Sequence, residues 1–176
     1  LVLGLPMGMY SIFLEQERNK SEKLLHNIMP KSIAEKLKNN IKTISMDNPE
    51  ISVLFADIVS FTEMSEKISS EKIVGFLNDM FSQFDDLTET YGVEKIKTIG
   101  DSYMVVSGMP VQREDHALTL FNLAKEMIKI SAQFKDHNGN PIKLRIGINS
   151  GPAISGVIGK SKFAFDVWGD TINTAA

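Results

Sequence analysis

Two carboxylates stand where chemistry can be built. Asp57 closes the apolar run ISVLFAD, and Asp101 occupies the turn inside KIKTIGDSYM. Strand ends and turns are common places for aspartate, so neither residue alone argues for a reaction. Side by side they would raise each other's proton affinity unless a cation lay between them. A divalent ion there turns the repulsion into a site for phosphate oxygens. It would be a hard, oxygen-preferring ion. The chain has no cysteine and three histidines, none spaced as HxxxH or HExxH, which excludes thiolate sites and argues against a histidine-built zinc centre. Lys and Arg total 19 against 22 Asp and Glu, a net charge of -3. There is no global basic field, and no nucleic-acid partner is expected.

The carboxylates meet only if the elements carrying them are neighbours. Ile51, Val53 and Phe55 alternate with Ser52, Leu54 and Ala56, which predicts a strand ending near Asp57. From Ser70 to Tyr91 apolar residues recur at helical spacing, with Ser69 or Ser70 to cap the start and Gly92 to end it. Val93–Ile99 and Ser102–Ser107 read as a hairpin around Gly100-Asp101. A second amphipathic helix is expected from Arg113 to Phe134 with Leu118, Phe121, Met127 and Ile128 inward. His116, ahead of that apolar face, reads as a surface or capping residue. Ile142, Leu144, Ile146 and Ile148 alternate as a further strand, Ala153–Ile158 and Phe163–Val167 read as two shorter ones, and Thr171–Ala176 opens a helix. Lys160 and Lys162 lie on a Gly-flanked loop and read as solvated. The order strand, helix, strand, strand, helix, strand predicts an α+β, ferredoxin-like βαββαβ fold, an antiparallel sheet with helices on one face. That topology sets the first strand beside the hairpin, so Asp57 and Asp101 converge. Fold alone does not name a function.

The 176 residues suffice for one such domain and a short preceding element. Residues 1–14, LVLGLPMGMYSIFL, carry no charge. They fall short of the roughly 20 apolar residues that span a bilayer and lack the basic start of a signal peptide. A buried helix would account for them; so would the end of a transmembrane helix, and Arg18, Lys20 and Lys23 follow as on a cytoplasmic flank. The expectation adopted is the membrane one, with the globular part on the cytoplasmic side of the cell membrane. Residues 15–48 read as a helical linker. Leu24, Leu25 and Ile28 form a narrow stripe suited to pairing with a second copy, and Pro30 restarts a helix bearing Ile33, Ala34 and Leu37. Met46-Asp47-Asn48-Pro49 reads as a turn, placing the domain at 49–176.

The segments FADIVSFTEMS, EKIKTIGDSYMVVSG, RIGINSGP and FDVWGDTINTAA resemble, in order and spacing, the catalytic domain of class III nucleotidyl cyclases. The resemblance runs from about Ile51 to Ala176, and LLHNIMPKSIAEKL before it is similar to the family's linker. It implies a phosphorus–oxygen lyase reaction: the ribose 3′-oxygen attacks the α-phosphorus, expelling pyrophosphate and closing a 3′,5′-cyclic nucleotide. It further implies two Mg²⁺ or Mn²⁺ ions on Asp57, Asp101 and the Ile58 carbonyl, outer phosphates on the backbone of Ser60, Phe61 and Thr62, and a ribose-orienting Asn173.

The family's two purine-reading positions correspond to Lys97 and Asp166. Adenine presents an acceptor at N1 and a donor at its 6-amino group; guanine presents the reverse. Lys97 only donates and ionised Asp166 only accepts, so the pair suits ATP. Guanylyl members resemble the opposite arrangement, with glutamate and cysteine there. The family's sites are shared between two catalytic domains, and this chain carries both half-sets, which implies a homodimer. Lys97 and Asp101 would then serve different ATP molecules. The family's transition-state arginine would fall immediately after Ala176, so a chain ending there is expected to be inactive by itself. Other readings stay open: a guanylyl cyclase, a catalytically silent cyclase-like regulatory or dimerisation module, and a polymerase-like phosphoryl-transfer domain in which Lys97 and Asp166 would have no part.

Overall fold

The computed structural model describes residues 7–26, 28–39, 44–159 and 162–176. The elements are α1 (Met7–His26), α2 (Lys31–Lys38), β1 (Ser45–Ile58), α3 (Phe61–Lys67), α4 (Ser70–Tyr91), β2 (Glu94–Ile99), β3 (Ser102–Ser107), α5 (His116–Ser131), β4 (Leu144–Ile158), β5 (Ala164–Trp168) and α6 (Asp170–Ala175). The strands form one five-stranded sheet in the order β2-β3-β1-β4-β5, every neighbouring pair antiparallel. This is the α+β, ferredoxin-like arrangement expected, extended by β5.

Strand alternation supplies both faces of the sheet. Leu54, Ala56, Tyr103 and Val105 pack against Met80 and Phe84 of α4 and Leu120, Leu123 and Met127 of α5. The opposite parity, Val53, Met104 and Val106, meets Ile33 and Ala34 of α2 and Ile172 and Ala175 of α6. Helix α2 has eight residues, too few to persist alone in water. Burial of Ile33 and Ala34 contributes roughly 3 kcal/mol, enough to seat the linker helix on the sheet. Helix α1 runs unbroken from Met7 through the polar stretch to His26. No helix among the described residues is long and apolar enough to cross a membrane. Residues 1–6 of the leader and Lys160 lie outside the described residues; Lys162 is exposed.

Four local expectations need correction. Met46–Pro49 is strand, not turn: it belongs to β1, which pairs with β4 from Ser45↔Gly156 to Ile58↔Leu144. The sequence looks like a break because Pro49 has no N–H to donate, and the ladder does shift register between Asn48 and Ile51. The Asn48 amide repairs the gap, donating to the carbonyls of Met46 and Ala153 and to Ser155 Oγ at 3.0–3.4 Å. Second, Ala153–Ile158 is not a separate strand but the continuation of β4. Third, α5 is rotated from its expected phase. Met127 is buried, but Leu118, Phe121 and Ile128 are 60%, 56% and 50% exposed, and Thr119, Leu120, Leu123 and Ala124 face inward instead.

Fourth, His116 is buried, not a surface residue. Its Nδ1 lies 2.7 Å from Ser52 Oγ, which in turn lies 2.6 Å from Ser150 Oγ. The imidazole therefore ties the start of α5 to β1 and β4.

Candidate active site

Asp57 sits at the C-terminal end of β1, in register opposite Arg145 of β4. Asp101 sits in the β2–β3 turn, where Gly100 adopts φ +62 and lets the chain reverse within two residues. Since β3 pairs with β1, the turn folds back beside the end of β1, and Asp101 Oδ2 accepts a hydrogen bond from the Ile58 amide at 3.2 Å. The two carboxylates and the Ile58 backbone are thus brought to one edge, as the sequence predicted.

This edge presents hard oxygens. Among the described residues no group of three or more acidic, histidine or cysteine side chains is placed to hold a metal ion, so a cation here would draw on two carboxylates, a backbone carbonyl and the substrate's own oxygens. That donor set fits Mg²⁺ or Mn²⁺. Arg145, which the sequence reading did not single out, brings Nη2 to 3.7 Å from Asp57 Oδ2 and is largely solvent-exposed. Its guanidinium adds positive charge where a polyphosphate would lie. Only strand pairing reveals it.

After Ile58 the chain turns sharply. Ser60 has φ 59 and ψ 28, a left-handed conformation, and is the sole non-glycine residue with positive φ among those described. A backbone held in this sparsely populated region marks a constrained turn. It launches α3, so the first amides of that helix, on Phe61 and Thr62, are free of intrahelical partners. They open next to the Asp57–Asp101 edge.

Lys97 and Asp166 come from β2 and β5, the two outer strands of the sheet, yet Lys97 Nζ lies 2.5 Å from Asp166 Oδ2. The sheet therefore curls until its edges approach. Asp166 Oδ1 accepts from the Val167 amide at 2.8 Å. The carboxylate has about four acceptor directions and the ammonium three donors, so each retains capacity for a ligand after their mutual contact. Asn173 is exposed on α6, whose start is fixed by backbone bonds from Ile172 and Asn173 to the Gly169 carbonyl. Among the described residues, no hydrogen bond or ion pair joins Lys97, Asp166 or Asn173 to Asp57 or Asp101. The chain thus displays two separate half-sets: a carboxylate edge, and a cation–anion pair with a neighbouring asparagine helix.

The profile of the adenylate and guanylate cyclase catalytic domain matches residues 43–176. The chain belongs to the class III nucleotidyl cyclases. An adenylate cyclase of Mycobacterium bovis is 48% identical over 164 residues, covering 93% of this chain and 37% of the relative. The soluble guanylate cyclase subunit beta-2 of Rattus norvegicus is 40% identical over 162 residues, covering 91% of this chain and 24% of the relative. The cyclase chain thus spans little more than a third of the first of these relatives. Among solved structures, the catalytic core of a rhodopsin-guanylyl cyclase with converted specificity, in complex with ATPαS, superposes with TM-score 0.70 at 38% identity, covering 74% of this chain and 71% of that one. The adenylyl cyclase CyaB from P. aeruginosa gives TM-score 0.67 at 25% identity, covering 75% and 71%. Both nucleotide classes therefore stand near this cyclase.

Proposed function

We propose that this cyclase domain is the catalytic part of an adenylyl cyclase, converting ATP to 3′,5′-cyclic AMP and pyrophosphate. The observation that carries the choice of base is the Lys97–Asp166 contact at 2.5 Å. It sets a donor and an acceptor side by side, the spacing at which adenine N1 and its 6-amino group would be read together. Guanine would oppose its N1–H to the ammonium and its O6 to the carboxylate. Leaving such groups unpaired in a closed site can separate substrates by roughly 10⁴.

Asp57, Asp101 and the Ile58 carbonyl would hold two Mg²⁺ or Mn²⁺ ions, which when bound supply activation of the ribose 3′-hydroxyl and charge neutralisation at the triphosphate. Arg145 and the Ser60-Phe61-Thr62 backbone receive phosphate oxygens, and Asn173 orients the ribose. The half-sets lie apart in one chain, so a complete site is read as one copy's carboxylate edge facing the other copy's Lys97, Asp166 and Asn173 across a homodimer. In the same reading the uncharged residues 1–14, followed by Arg18, Lys20 and Lys23, are the end of a transmembrane helix, with the catalytic domain on the cytoplasmic side.

The rhodopsin-guanylyl cyclase core with converted specificity named above superposes on this fold, which supports treating base choice as separable from the fold. The test is turnover of Mn-ATP against Mn-GTP by the full-length protein. ATP is expected to be preferred, and Lys97→Glu with Asp166→Cys should move the preference toward GTP. A wild-type preference for GTP would overturn the assignment.

A further inference from the structure

Resting on the reading of Lys97 as the residue that recognises the base, we propose that Asp85, Lys95 and Tyr103 form a clamp that positions Lys97. None of the three was singled out from sequence, and none touches the carboxylate edge. Their geometry nevertheless decides which way Lys97 points.

Residues two apart in a strand share a face. Lys95 and Lys97 do not. Lys95 stands opposite Val105 and Lys97 opposite Met104, so Ile96 is an extra residue, a β-bulge. Val105 belongs to the core layer under α4 and α5, whereas Met104 belongs to the other layer, where Ile96 also packs. Lys95 accordingly leaves the sheet toward α4, where its Nζ donates to both oxygens of Asp85 at 2.6 and 2.8 Å. Lys97 leaves toward the opposite side and reaches Asp166. In a regular strand both ammonium groups would converge on Asp85, and Asp166 would lose its partner.

Asp85 is also fixed from the neighbouring strand. The fully buried Tyr103 of β3 donates its hydroxyl to Asp85, and the Lys95 ammonium lies 5.0 Å from the centre of the Tyr103 ring. One carboxylate on α4 thus receives donors from β2 and β3 together and locks their relative register on the side away from Lys97. Burial, and then the Asp85 acceptor, hold the Tyr103 hydroxyl far above the usual phenol range, so it stays a donor at any working pH. The clamp exploits the strand's parity: tying Lys95 to one face leaves the bulge as the only way to satisfy both lysines.

The experiment compares kcat/KM for ATP and GTP in the full-length protein. Asp85→Asn and Lys95→Met are expected to reduce the ATP-to-GTP ratio about tenfold or more, mainly through the KM for ATP. Lys95→Arg should restore most of it. Hydrogen exchange of residues 94–99 should quicken in both disrupting variants. Lys129→Met, which opens the exposed Lys129–Glu126 pair, should change neither readout. A clamp that matters only for stability would lower the melting temperature and both activities alike, leaving the ratio intact; that result overturns the proposal. If Asp85→Asn does not fold, Tyr103→Phe, which keeps the ring and removes only the hydroxyl, decides by the same ratio and exchange. Lys97→Met separates the two possible failures. An unchanged ratio there refutes the adenine reading and the clamp's purpose with it. A changed ratio there, with no change in the clamp variants, refutes the clamp alone.

Discussion

Gly147→Ala tests whether the placement of α6 matters to turnover. Gly147 lies in β4 opposite Phe55, and an added Cβ would fall 2.0 Å from the carbonyl oxygen of Ala175 at the end of α6. That neighbour is backbone, so no rotamer change relieves the clash. Restoring an ordinary contact of about 3.4 Å requires α6 to withdraw by about 1.4 Å. Ile172 and Ala175, which anchor α6 in the core, would lose part of their packing, a loss on the order of 1–3 kcal/mol for an overpacked site. Asn173 moves with the helix. A displacement near 1 Å of a positioning group can lower the rate about 10²-fold without a comparable change in binding. The expected outcome is a lower kcat for ATP with KM within a few-fold of wild type, together with a modest drop in thermal midpoint. Cyclase kinetics and differential scanning fluorimetry on the same preparation measure both. A variant with wild-type kcat and wild-type midpoint would show that α6 tolerates the shift and that Asn173 is not held by this contact.

Burial pushes the Glu94 carboxyl up to about 7, so between about pH 4.5 and 7 the folded protein holds a proton that the unfolded chain releases; stability falls as pH rises through that window, by roughly 1.5–3 kcal/mol. Glu94→Gln should therefore melt several degrees above wild type at pH 8 and match it near pH 4, and equal midpoints at pH 8 would refute the burial penalty. His116→Leu should destabilise by roughly 1–3 kcal/mol in urea unfolding, because it removes a buried partner of Ser52. Adding Ser52→Ala should then have much less effect than it has alone; strict additivity would mean the two groups are not coupled.

The parts of the fold visible in sequence were those where one period dominated. Alternation through Ile51–Ala56, the apolar spacing of Ser70–Tyr91 and the Gly100-Asp101 turn each had a single reading, and each placed the end of its element within a residue, although β1 begins six residues before Ile51. Helix α5 did not. Leu118, Phe121 and Ile128 form one stripe at helical spacing, while Leu120, Leu123, Ala124 and Met127 form another. Periodicity cannot choose between two apolar stripes; packing against β1, β3 and β4 chose the second. Met46–Pro49 read as a turn and Ala153–Ile158 as a separate strand, yet pairing between two long strands carried both prolines, Pro49 and Pro152, with Asn48 filling the backbone gap. The carboxylates Asp57 and Asp101 were legible because turn and strand-end positions are local. Arg145 and the Asp85–Lys95–Tyr103 group were not, since cross-strand register and a bulge are properties of pairing.

Strand β1 joins two ends of the molecule that would otherwise be independent. Its 14 residues run for about 45 Å, starting at Ser45 and finishing at Ile58, one residue past Asp57. With β4 paired along it from Ser45↔Gly156 to Ile58↔Leu144, it forms a continuous ladder between the linker and the Asp57–Asp101 edge, a path along which a displacement at one end would reach the other. Along that ladder the register steps once, a joint between Asn48 and Ile51. How stiff that joint is sets how much of an upstream movement the carboxylates feel.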